Sequence, residues 1–157
     1  MDDEFKQRVG ELSTAKALTV AAYGESVAAY RYRTLAEKTT DESQRRLFTQ
    51  IAEEEQGHHA AVEELLRRHF PGSDYLLTAA DKELVIVGPR MLELSESRPP
   101  AKAMELIRAS EERTGAFYAA LSEISPQTDL RPVFRAMANE CFEHAQQLSS
   151  IQPTSLA

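Results

Sequence analysis

Several acids and imidazoles in this chain have the types and spacing of metal ligands. Glu55 and His58 stand three apart in Ile51-Ala52-Glu53-Glu54-Glu55-Gln56-Gly57-His58-His59. On a helix, residues three apart share a face, so one carboxylate and one imidazole can reach a single ion. A mixed oxygen and imidazole set suits iron or manganese, and zinc less distinctively. Glu25 lies on a stripe of small residues (Ala21, Ala22, Ala28, Ala29) that leads to Tyr32, and Glu111 lies among Met104, Ile107, Phe117 and Tyr118. A carboxylate on a core-facing stripe needs a cation, a hydrogen-bond network or a proton before it can be buried. Each feature alone has an ordinary alternative, namely an acid at the edge of a stripe that reaches water, or a solvated acidic run with a surface histidine.

The two halves of the chain match at a constant offset of 86. Glu25 maps to Glu111, Tyr32 to Tyr118, Leu35 to Leu121, Phe48 to Phe134, Ala52 to Ala138 and His58 to His144, with no gap. The repeat selects His58 over His59, because the partner of His59 is Ala145. Two helical hairpins built from one duplicated unit are expected to pack about a pseudo-twofold axis.

One position breaks the pattern. Cys141 stands in Cys141-Phe142-Glu143-His144, where the repeat places the partner of Glu55. Three readings are open. Cys141 is a thiolate ligand, since metal coordination deprotonates a thiol. Or it is a small buried residue beside an incomplete site, the usual fate of a lone cysteine. Or Glu140, four residues before His144, supplies the missing oxygen. Tyr32 and Tyr118, two turns from Glu25 and Glu111, hydrogen-bond carboxylates behind the ligands, act as redox-active phenols near the metals, or are core tyrosines with satisfied hydroxyls.

The elements that must carry these residues read as four long helices, rich in Ala, Leu, Glu, Arg and Gln. They are expected at about 12–38 (with an extra turn or two before it), 42–69, 101–124 and 129–150. Asp41 is the expected N-cap of the second, with Gln44 completing a capping box. Short joins around residues 39–41 and 125–128 make antiparallel neighbours. About thirty residues from Phe70 to Pro100 separate the middle two helices. That is too long for a plain loop in a compact domain. It predicts a short helix near Ala80–Leu94 within a crossover along the bundle. The fold class is therefore all-α: an antiparallel four-helix bundle of two duplicated hairpins. It forms one domain over residues 1–157, with halves at about 12–69 and 98–151, a crossover at 70–97 and a loose tail at 152–157.

Composition sets the outer bounds. The formal net charge is −7, against the basic stripes of nucleic-acid binders and against anionic membranes. No apolar run approaches the roughly 18–20 residues of a membrane span. One cysteine excludes an internal disulfide and a four-cysteine metal motif. With the acidic start Met1-Asp2-Asp3-Glu4, these features lead us to expect a cytoplasmic protein.

The segments Glu25-Ser26-Val27-Ala28-Ala29-Tyr30-Arg31-Tyr32 with Leu35-Ala36, Ile51 to His58, Glu111 to Tyr118, and Ala138 to His144 resemble the ferritin-like superfamily, in particular its rubrerythrin branch. That pattern places one Glu on each of two helices and Glu-x-x-His on each of the other two. The resemblance implies a bundle holding two iron ions, with manganese or zinc as substitutes. The ligands would be Glu25, Glu55, His58, Glu111 and His144, with Cys141 or Glu140 in the sixth position. It also implies oxidation of iron or reaction with dioxygen or peroxide, an external electron donor, and a homodimer. Two departures stand out. Thr114 occupies the place where peroxide-reducing rubrerythrins carry a further glutamate, and the cysteines of a rubredoxin-type module are missing. The alternative is a ferritin-like bundle with a decayed or single-metal site, serving as a binding or structural module.

Overall fold

The computed structural model describes residues 2–90 and 100–151. Among the described residues six α-helices follow one another: α1 (Asp3–Gly10), α2 (Thr14–Lys38), α3 (Glu42–His69), α4 (Ala79–Lys82), α5 (Pro100–Ile124) and α6 (Arg131–Ser149). A 3₁₀ turn (Thr128–Leu130) leads into α6. Local chemistry sets the boundaries. Ser13 caps α2 by accepting the amide of Lys16, and Asp41 caps α3 by accepting that of Gln44. The expected extra turns before the first long helix form a separate helix, α1, because the Ser13 cap starts α2 afresh.

Cross-helix contacts give the topology. Arg33 meets Gln56 and His59 meets Ala22, so α2 and α3 are antiparallel. Arg135 meets Ser122, and His144 meets Glu111, so α5 and α6 are antiparallel. Between hairpins, α2 runs against α5 through Tyr32–Glu111 and Tyr118–Glu25. Likewise α3 runs against α6 through His58–Glu140 and His144–Glu54. The result is an all-helical bundle in which α3 and α5 point the same way. The link between them must therefore travel the length of the molecule.

Among its described residues, 70–90, that link is mostly not helical. The expected helix near Ala80–Leu94 is reduced to one turn, opened by a reciprocal capping box between Thr78 and Asp81. The β-branched residues that follow, then Gly88 at φ 81° and Pro89, stop it; residues 91–94 lie outside the described part. Instead residues 83–85 continue in turns and 86–89 in irregular backbone, together forming a strap in the groove between α2 and α5. Leu84, Val85 and Ile86 are buried there. Val85 lies against Gly24, where an added Cβ would come within 3.1 Å of it. The buried guanidinium of Arg31 donates to the carbonyls of Val87 and Pro89 and to Ser110 Oγ. The expected tail at 152–157 also lies outside the described residues.

Two apolar clusters fill the interior. One includes Leu18, Phe117, Tyr118, Phe134 and Cys141, and the other Tyr32, Phe48, Ile51, Met104 and Leu148. The repeat is visible in their aromatic pairs. Tyr32 and Phe48 have ring centroids 6.5 Å apart, and their equivalents Tyr118 and Phe134 are 6.4 Å apart. Between the clusters lies one polar layer.

Candidate metal centre

The polar layer contains Glu25, Glu55, Glu111, His58 and His144. Each acid comes from the middle of a long helix, and all three are at most 3% exposed. Two overlapping sets result: Glu25, Glu55 and His58, and Glu55, Glu111 and His144. Within each set one ligand atom per residue lies within 4.8 Å of the others. Glu55 belongs to both. Its Oε1 is 3.6 Å from His58 Nδ1 and 3.0 Å from His144 Nδ1. His58 Nδ1 is also 3.5 Å from Glu25 Oε2, and His144 Nδ1 is 2.8 Å from Glu111 Oε2.

These inward atoms are close but poorly aligned. Glu25 Oε2, Glu55 Oε1, His58 Nδ1 and His144 Nδ1 are buried, and none has a hydrogen-bond partner of proper geometry. An unpaired buried polar atom costs about 1–3 kcal/mol, and four of them face one another here. Their convergence suits a cation: deprotonated, these oxygens and nitrogens direct lone pairs at one region, and positive charge there, from protons or a metal, relieves the repulsion.

Hydrogen bonds between the hairpins surround this inner set, reciprocal in the helices they join; at Glu111 the phenol and His144 Nδ1 share one oxygen, Oε2. Tyr118 on α5 donates its hydroxyl to Glu25 Oε1 on α2 at 2.7 Å, and Tyr32 on α2 donates to Glu111 Oε2 on α5 at 3.1 Å. His144 Nε2 on α6 is 2.8 Å from Glu54 Oε2 on α3. His58 Nε2 on α3 meets Glu140 Oε2 on α6. A carboxylate on the outer nitrogen fixes which imidazole nitrogen faces inward and makes it more basic. The two imidazole rings lie nearly parallel, 24° apart, with centroids separated by 6.5 Å.

Electrostatics follows from burial. Burial, then the Glu55 charge, pushes the Glu25 carboxyl up to about 8. Burial likewise raises Glu111, against the pull of His144. For both histidines burial disfavours the cation but the neighbouring glutamates outweigh it, so His58 and His144 are each raised to about 11. The metal-free layer therefore retains protons at neutral pH. Burial, followed by the neighbouring carboxylates, also raises Tyr32, Tyr118 and Cys141 well above their ordinary ranges.

The structure thus brings Glu25, Glu55, His58, Glu111 and His144 together and puts Tyr32 and Tyr118 on the acids. Cys141 is buried beside them in the apolar cluster but joins neither set among the described residues. Glu140 lies on the outer side of His58 and is half exposed. The outer carboxylates Glu54 and Glu140 were not assigned this role from the sequence. The signal was there, because Glu140 is Glu54 shifted by the same offset of 86. Thr114 donates to the strap carbonyl of Val85 at 2.9 Å, so it anchors the crossover.

No curated protein matches this chain. Among solved structures, a hypothetical protein from Pyrococcus furiosus has the same fold, with a TM-score of 0.76 at 23% identity over 92% of this chain and 91% of that one. Rubrerythrin is the family that matches in sequence, over residues 16–97. With the acid and imidazole layer in place on a four-helix bundle, that match makes the chain a member of the rubrerythrin family.

Proposed function

We propose that this chain is a ferritin-like metal protein in which Glu25, Glu55, His58, Glu111 and His144 hold two divalent ions, iron first, for reaction with dioxygen or peroxide or for oxidising iron itself. The observation that carries this reading is Glu55, a buried carboxylate shared by two histidine-containing sets whose inward atoms lack other partners. Glu55, common to both sets, would hold the ions together with Glu25 and Glu111, and His58 and His144 would each offer Nδ1. Such ions supply redox and Lewis-acid chemistry when bound. The chain's own part is to bring together ligands that give up their protons as metal binds, to hold the imidazoles by Glu54 and Glu140, and to exclude bulk water with two apolar clusters. The reading includes an external electron donor, a homodimer and a cytoplasmic setting, as the resemblance implies.

The test is metal analysis of protein purified with iron under reducing conditions, followed by anomalous scattering at metal edges from crystals. Two ions on the five residues support the reading, whereas less than about one metal per chain counts against it.

Cys141 favours a second reading, a decayed or single-metal site in a binding or structural module, because it replaces the repeat partner of Glu55 and stays outside both sets. Cys141→Glu separates the two. If the variant gains metal binding and oxidase activity that the native chain lacks, the native site is the decayed form. If the native chain already binds two metals, this second reading fails.

A further inference from the structure

Four seams between neighbouring long helices lead from the surface to the polar layer. Among the described residues three of them are shut. In the α2–α5 groove lies the strap, with Leu84, Val85 and Ile86 buried. Along α2–α3 the backbones pack closely, and His59 Nδ1 lies 2.9 Å from the Ala22 carbonyl. Over α5–α6 the Phe142 ring lies on Gly115, where an added Cβ would come within 2.7 Å of it. The α3–α6 seam is different. Its two backbones hardly approach one another. At the level of the polar layer it is spanned by side-chain pairs, Glu140 on His58 and Glu54 on His144. Both carboxylates are about half exposed. The His58 side chain is 17% exposed and that of His144 only 5%. Solvent therefore reaches the layer at His58. Just inside it, Glu25 Oε2 and Glu55 Oε1 are buried without partners.

We propose that divalent ions load through the α3–α6 seam, with Glu140 and His58 as its gate. The Glu25, Glu55 and His58 set then exchanges its ion with solvent, while the Glu55, Glu111 and His144 set retains its own. The inference rests on the proposed metal reading, and the choice of route rests on the packing. A pair of side chains at the surface opens by rotamer changes in picoseconds to nanoseconds. The other three seams open only by moving backbone or repacking a dense core. Two carboxylates at the mouth also draw cations toward it and raise the rate of encounter. Glu55 belongs to both sets, so it connects the gate to the inner one, whose three members are all buried.

Cobalt(II) uptake by the full metal-free chain, followed by its absorption in stopped flow, tests the route. Glu140→Lys should slow uptake at least about tenfold, the low end of electrostatic steering. The same charge change at Glu112, on the exposed face of α5, should slow it far less. Equal slowing by both variants, or an uptake rate untouched by Glu140→Lys, overturns the gate; a residue that only orients His58 would alter release and leave uptake alone. Chelator added to the cobalt-loaded native chain tests the inequality of the two sets. One equivalent should leave quickly and the second at least about tenfold more slowly, close to 1.4 kcal/mol of barrier. Crystals frozen between the two phases should show cobalt on Glu55, Glu111 and His144 and none beside His58. Simultaneous loss of both ions, or retention beside His58 instead, overturns the assignment. Failure of the metal reading would look different: a native chain that takes up no cobalt at all, which would remove the route with it.

Discussion

Tyr118 donates its buried hydroxyl to Glu25 across the α2–α5 interface at 2.7 Å. The bond satisfies one carboxylate oxygen and leaves the other facing His58. Tyr118→Phe strands that oxygen, so the metal-free protein should lose about 1–3 kcal/mol in urea unfolding. Tyr32→Phe should cost less, because Glu111 Oε2 also faces His144 Nδ1 at 2.8 Å. An unchanged midpoint in both variants would show that the phenols are packing groups only.

Stability of the metal-free chain should fall as pH rises. Glu25 goes from an ordinary 4.5 up to about 8, and His58 and His144 from 6.5 to about 11. Across those windows the native state binds more protons than the unfolded one, so the free energy of unfolding decreases with pH. The contribution is complete below the ordinary values and is lost through the raised ones. Urea midpoints measured in chelator should decline from about pH 6 to about pH 9, and less steeply in Glu25→Gln. Saturating divalent metal should blunt or reverse the decline, because binding expels those protons. A metal-free midpoint that climbs over this range contradicts the assignment.

Cys141→Ala should leave metal stoichiometry unchanged and lower stability by roughly 1 kcal/mol, through lost packing alone. Loss of one metal equivalent, or of a sulfur-to-metal absorption band, would instead make Cys141 a ligand.

Glu54→Gln and Glu140→Gln remove the charged partners of the outer imidazole nitrogens. Each should weaken metal affinity roughly 10- to 100-fold, with little change in the thermal unfolding of the metal-free chain. Competition against a chelating dye reads the affinity, and identical isotherms for native and double variant would dismiss the orienting role.

Arg31→Met should release the strap. The guanidinium holds Val87 O at 3.0 Å and Pro89 O at 2.5 Å, and hydrogen bonds to a charged group are worth about 1.5–3 kcal/mol each. Amide exchange at residues 84–90 should accelerate well beyond exchange in α3. Protection equal to that of the native chain would mean that Val85 packing holds the strap unaided.

Much of this was legible before any coordinates. Periodicity and short joins place four long helices because such helices announce themselves by composition and spacing. The offset of 86 picks out Glu25, Glu111, His58 and His144, because a duplicated hairpin must present equivalent residues at one axis. What escaped was tertiary. The strap's Leu84 to Val87 reads as an isolated β-rich run, since nothing local says that a groove awaits it. Arg31 reads as a surface residue, because its partners are backbone carbonyls 56 and 58 positions away. Glu54 looks like part of a solvated acidic run and Glu140 like a rival sixth ligand, and their orienting roles depend on imidazoles contributed by the opposite hairpin.

That exchange between hairpins means neither owns a finished half of the centre. Cut between α3 and α5, each fragment would retain an acid without its phenol and an imidazole without its outer carboxylate. Either hairpin alone would need a second copy to complete its pairs, and Glu55 against Cys141 is where the two halves differ in the innermost layer.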